Sequence, residues 1–121
     1  MEIKISRNEE NKLRVELEAR HDLEAERMKR FLAMPDLSRA LDSPIREMVQ
    51  RILAIPDYKN LDVIEVPEIV LADMSFDLFD FPADHPARSK SDTNYVNDDN
   101  VLRPHTTVMW NYYLGQEDVK K

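Results

Sequence analysis

Apolar residues fall along this 121-residue chain in several distinct rhythms. Ile3 and Ile5 alternate with polar residues, and so do Leu13, Val15 and Leu17 after a polar Arg7–Lys12 interval. Period-two spacing around a polar turn suggests a β-hairpin. A helix is the alternative, because the Glu, Lys, Arg and Leu of this stretch are good helix formers. Residues 19–33 read as a charged helix with Leu23, Met28, Phe31 and Leu32 on one side, stopped by Pro35. After a 35–43 linker the pattern sharpens: Ser43 is a good N-cap, Pro44 suits the first helical position, and Ile45, Met48, Val49, Ile52 and Leu53 form a continuous stripe. The simplest reading of that stripe is core.

Beyond Pro56 the rhythm changes again. Leu61–Val70 is β-branched and partly alternating, with Pro67 inside it; a proline cannot donate to a strand ladder, so it belongs at an edge, a bulge or a strand end. Met74, Phe76, Leu78, Phe79 and Phe81 suggest a short helix turning aromatics inward. Residues 82–100 are polar and turn-rich, with a loop tip at Asn97-Asp98-Asp99-Asn100. Val101–Leu114 is expected to open as a strand and become a helix near Thr107, with Thr106 or Thr107 as cap and Gly115 at its end. Residues 116–121 read as a frayed tail. The whole is an α+β arrangement in which residues 1–42 form an N-terminal extension, a possible hairpin plus a charged helix, ahead of a second unit at 43–121.

Composition narrows the function classes. With 42% hydrophobic and 34% charged residues the chain can bury a core and stay soluble, and no apolar run approaches the ~20 residues that span a bilayer. The absence of cysteine excludes disulfides and thiolate chemistry and fits a reducing compartment, with the cytoplasm as default. A single glycine leaves no room for a P-loop or a dinucleotide fingerprint. The net charge of −7 is uneven: residues 1–60 carry 12 basic against 12 acidic side chains, residues 61–121 carry 5 against 12. A nucleic-acid face shows a basic stripe, so the C-terminal half is not expected to grip an RNA backbone.

Two polar stretches hold two of the three histidines: Asp84-His85-Pro86-Ala87-Arg88, running on to Asp92-Thr93-Asn94-Tyr95, and Leu102-Arg103-Pro104-His105-Thr106-Thr107. Taken alone, Asp84, His85, Asp92 and His105 match no standard metal-ligand spacing, and Thr106 and Thr107 beside His105 are poor nucleophile candidates because sequence neighbours rarely aim at one another. No metal site and no catalytic residue is assigned. Arg88 and Asp92 are read either as an ion pair bracing the loop or as direct substrate contacts.

The pair closely resembles a segment of the alpha subunit of phenylalanine–tRNA ligase, a class II aminoacyl-tRNA synthetase, where the wording is typically DHPAR, a DT-aromatic run, then LRTHTS. Two earlier stretches line up in the family's order. Ser43-Pro44-Ile45-Arg46-Glu47 stands where the family has His-Pro and an amphipathic helix. Asn60-Leu61-Asp62-Val63-Ile64-Glu65-Val66-Pro67-Glu68-Ile69 resembles the first class II signature. The resemblance covers residues 43–114, more than half of the chain; residues 1–42 do not resemble the family's long tRNA-binding coiled coil.

The resemblance implies part of an antiparallel-sheet catalytic domain and a set of roles. His105 and Thr107 would hold the amino group of phenylalanine, since a neutral imidazole nitrogen and a hydroxyl both accept hydrogen bonds. Trp110 stands where the family often has glutamine, replacing a polar contact with an indole that can stack on a phenyl ring or a cation. Ser91 occupies a variable pocket position, Thr107 keeps the hydroxyl of the usual serine, and Pro104 replaces a threonine. Pro67, with Val66 and Ile64, would lie at a subunit interface, and Arg88, Asp92 and Arg103 would support the pocket. The complete enzyme would use ATP and Mg2+, take phenylalanine and tRNA(Phe) as substrates, and assemble with other synthetase chains as a homo- or hetero-oligomer. Its ATP-binding arginines belong to second and third signatures expected after residue 121, so this chain alone is expected to bind no cofactor and to be inactive. The alternative is a non-catalytic synthetase-like paralogue or truncated module for dimerisation or amino-acid sensing.

Overall fold

The computed structural model describes residues 2–116. The expectation for the tail beyond them lies outside the described residues. Strand β1 (Glu2–Lys4) pairs in parallel with β2 (Val63–Glu65), with Ile3 opposite Ile64. Between them run α1 (Asn8–Glu18), α2 (Leu23–Leu32) and α3 (Pro44–Leu53). A second pair, β3 (Ile69–Leu71) against β4 (Asn100–Leu102), is antiparallel with Val70 opposite Val101. Helix α4 (Ala72–Ser75) follows β3, and α5 (Val108–Leu114) follows β4.

The hairpin expected at the N-terminus does not form. Ile3 lies on a strand, but its partner is 61 positions downstream in β2, and residues 8–18 are helical. A strand would put Leu13, Val15 and Leu17 on one face. The helix instead keeps Leu13 and Leu17, four apart, on its buried side and leaves Val15 71% exposed. Arg14 pairs with Glu10 at 2.9 Å one turn away, a spacing that supports a helix and nothing else.

Helix α2 is capped as its sequence asks: Asp22 accepts from the Ala25 amide at 3.0 Å. Its buried side is Ala25 and Met28, flanked by partly covered Phe31 and Leu32, whereas Leu23 points to solvent. Lys29 donates to the Arg20 and Glu18 carbonyls, satisfying the orphan C-terminal end of α1. These two helices close one core with Ile69 and Val96, so the first 42 residues and the segment after them share a single packed interior.

Helix α3 overturns the core reading of its stripe. Ser43 caps it through the Ile45 amide at 3.2 Å, with Pro44 in the first turn. None of its residues is buried, and Ile45 is 47% and Met48 61% exposed. The helix forms for the reasons its sequence gives, but among the described residues its stripe is left largely exposed.

Pro67 sits between β2 and β3, where no ladder amide is needed. Phe76 is the buried aromatic of the next segment. Asn97 accepts from the Asp99 and Asn100 amides and tightens the loop tip. Thr107 occupies the N-cap position of α5 without a side-chain capping bond. Gly115 ends that helix in a right-handed conformation, φ −77°, so its lack of a side chain is not what stops the helix.

Candidate functional site

The two polar stretches face a shared neighbour, the segment Ala72–Phe81. The first stretch is a tightly bonded loop. His85 Nδ1 accepts from the Ala87 amide at 3.1 Å, which caps the 3-10 turn Pro86–Arg88, and its ring lies 4.5 Å from that of Phe81. Thr93 Oγ1 donates to the Ala87 carbonyl at 2.5 Å and Tyr95 Oη to the Arg88 carbonyl at 2.7 Å. His85, Thr93 and Tyr95 therefore have architectural duties.

Arg88 makes an ion pair, but with Asp77 at 2.5 Å; Asp92 instead accepts from Ser91 Oγ at 3.2 Å. The expected Arg88–Asp92 brace is thus replaced by Arg88–Asp77. Asp77 opens the 3-10 turn that follows α4 and lies beside the arginine. Arg88 Nη2 also donates to the Phe81 carbonyl, and its guanidinium lies 5.3 Å from the Phe76 ring centre. The bond from Arg88 holds the Asp77 carboxyl below its ordinary value. Its neighbour Asp73 is pushed up, through its hydrogen bond with Asp77 and the Asp77 charge.

Arg103 supports the strands. Its Nη1 donates to the Pro67 carbonyl at 2.9 Å and the Val66 carbonyl at 3.2 Å. Of the three residues expected at a subunit interface, Val66 and Pro67 are covered within the chain and Ile64 is half-buried.

His105 stands at the exit of β4. Its Nε2 lies 2.9 Å from the Ser75 carbonyl, and its ring meets Phe79 edge-on at 5.3 Å. A carbonyl only accepts, so Nε2 donates, and in the uncharged ring Nδ1 is then an acceptor. That nitrogen is buried and has no hydrogen-bond partner among the described residues. Thr107, two positions on, is exposed with no capping duty. Trp110 is 57% exposed with its ring edge-on to Tyr113, and Ser91 is exposed and bonded to Ser89 and Asp92. The structure thus brings His105 into a built environment and leaves Ser91 and Trp110 at the surface. Sequence reasoning passed over Asp77 and Ser75; a serine and an aspartate in an aromatic stretch give no signal until the fold sets them beside His105 and Arg88.

An open concavity lies elsewhere. An open groove of about 910 Å³ is lined by Arg7, Arg14, Arg39 and Arg103 together with Glu10 and Glu68, and contains neither His105 nor Thr107. Its cations are committed: Arg7 to Asn100 and the Ile69 carbonyl, Arg14 to Glu10 and Glu68, Arg39 to Glu2. Arg14 and Arg39 thus meet carboxylates, whereas Arg7 and Arg103 donate to neutral oxygens. Among the described residues, no three or more His, Cys, Asp or Glu side chains converge as metal ligands would, and no helix is long and apolar enough to cross a membrane.

Comparison with known proteins adds an independent finding. Residues 31–121 match the family model of the class II core domain (F) of tRNA synthetases. The phenylalanine–tRNA ligase alpha subunit of Syntrophobacter fumaroxidans is 39% identical over 66 residues, 54% of this chain and 20% of that protein. The alpha subunit from Fusobacterium nucleatum is 31% identical over 107 residues, 88% of this chain and 32% of its own length. That of Thermosynechococcus vestitus is 34% identical over 113 residues, 85% and 34% respectively. The chain thus spans between a fifth and a third of the length of these relatives. No solved structure matches it.

Proposed function

This chain belongs to the class II core-domain family of tRNA synthetases, and from that premise we propose that it supplies one wall of the amino-acid pocket of a phenylalanine–tRNA ligase. The observation that carries the reading is the His105 ring. Its Nε2 is engaged by the Ser75 carbonyl, so the acceptor it has left is Nδ1, and an ammonium group is the donor that such a lone acceptor suits. Thr107 adds a hydroxyl two residues away with no structural duty. Trp110 and Ser91 bound the ligand from the surface side, with Trp110 offering an aromatic face in place of an amide.

The complete enzyme activates phenylalanine with ATP and Mg2+ and transfers it to tRNA(Phe). In such a reaction the protein chiefly positions the carboxylate against the α-phosphate and stabilises the charge that develops between them. Here Arg88, with Asp77, and Arg103, with the Val66 and Pro67 carbonyls, keep the pocket-bearing segments rigid. The exposed stripe of α3 and Ile64 are the surfaces that pack on another synthetase chain, while Val66 and Pro67 link β2 to β3.

ATP–pyrophosphate exchange tests the division of labour. The 121 residues alone are expected to show no phenylalanine-dependent exchange. Turnover by the isolated chain would overturn the reading of it as one wall of a larger site. Absence of phenylalanine binding by the same chain would favour a synthetase-like module of another function.

A further inference from the structure

Helix α4 ends in the interior. Ser75 is fully buried, so its carbonyl, one of the orphan acceptors at a helix C-terminus, needs a donor that is not water. The nearby amides are spent elsewhere: Phe76 bonds the Ala72 carbonyl, and Phe79 and Phe81 both bond the Phe76 carbonyl. His105 Nε2 fills the vacancy at 2.9 Å. The demand of one buried carbonyl thereby chooses which imidazole nitrogen carries the hydrogen.

The plane of the ring is chosen as well. Phe79 meets it edge-on, 5.3 Å between centres and 79° between planes. Phe79 closes the 3-10 turn Asp77–Phe79, which ends in Asp80 at φ 56°, a left-handed conformation that aspartate tolerates better than most residues. Arg88 ties this turn at both ends, at the Asp77 carboxylate and the Phe81 carbonyl, with Phe76 beneath its guanidinium. A loop residue from the first polar stretch thus holds the turn that holds the histidine of the second.

We propose that Phe79 and the Ser75 carbonyl, anchored by the Asp77–Arg88 pair, are positioning elements that fix His105 as its Nε2–H tautomer and make Nδ1 a selective acceptor for a protonated primary amine. None of the four touches the ligand; they act through the imidazole. The amine selectivity rests on the amino-acid reading above, and the tautomer does not.

The test is a long-range proton–nitrogen correlation spectrum of the chain with nitrogen-15 histidine, in which His105→Gln identifies the ring signals. The wild type is expected to show one tautomer, protonated on Nε2. Phe79→Leu is expected to show a second tautomer, and Phe79→Tyr, which keeps the aromatic edge, is expected to restore the first. A wild-type ring protonated on Nδ1, or a folded Phe79→Leu ring indistinguishable from wild type, overturns the proposal. Should Phe79→Leu fail to fold, Arg88→Lys is read the same way: a mixed tautomer supports the anchoring role and an unchanged one refutes it. Phenethylamine is then expected to move the Nδ1 signal and 3-phenylpropionate to leave it. Equal shifts refute the selectivity. No shift with either refutes the amine assignment, and with it the functional reading, while the tautomer result stands separately.

Discussion

Helices α1 and α3 are 11 and 10 residues long and stand in opposite relations to the rest of the chain. Helix α1 offers only Leu13 and Leu17 to the interior, yet both are buried, because α2, Ile69 and Val96 close over them. Helix α3 carries five apolar residues on one side and buries none. An apolar stripe says that a face is to be covered; it does not say by what. A modest face becomes core where the chain folds back on it, and a strong face left open points to another surface.

Breaking the covered helix has the largest expected effect. Leu17→Ala should cost about 2–5 kcal/mol, since it leaves a cavity in a site without slack. Urea denaturation reads that loss as a lower midpoint. Arg103→Met strips the Val66 and Pro67 carbonyls of their donor and should cost about 1–3 kcal/mol in the same experiment. On the open helix the expectation inverts. Met48→Glu should change the stability of the isolated chain by no more than about 0.5 kcal/mol, while weakening association with a synthetase chain in sedimentation velocity. A large loss of stability would mean that α3 is covered within this chain after all.

The smallest effect concerns the start of α2. The hydrogen bond from Arg20, then that from the Ala25 amide, lowers the Asp22 carboxyl to about 2. An acid whose folded value lies below its unfolded value stabilises the fold above the unfolded one, and the contribution fades as pH falls through the folded one. Asp22→Ala should therefore lower the melting temperature slightly at neutral pH, with the gap to wild type closing as pH drops from about 3.8 to about 2. A gap that persists in acid would assign the effect to the helix rather than to the charge.

Much of this was legible in the residues. Ser43-Pro44 and Asn97-Asp98-Asp99-Asn100 act locally, through a cap and a turn set within a few positions, and they stand where the sequence puts them, whereas the helix expected over 19–33 starts only at Leu23, after its cap Asp22. The failures are long-range. Period two at Leu13, Val15 and Leu17 was outweighed by good helix formers and an i,i+4 ion pair, and nothing near Ile3 announces that its strand partner is Ile64. At the candidate site, the motif singles out His105 as a candidate, whereas Ser75, Asp77 and Phe79 gain meaning only once α4 ends beside it. Arg88 shows the same limit: an ion pair was expected of it, and its partner is Asp77 rather than Asp92.

Calorimetric titration of phenylalanine into the wild-type chain and into His105→Ala tests the central claim most directly. Loss of a hydrogen bond to a charged ammonium is worth about 1.5–3 kcal/mol, so the account predicts affinity at least roughly tenfold weaker in the variant. Equal affinity in the two proteins would contradict it.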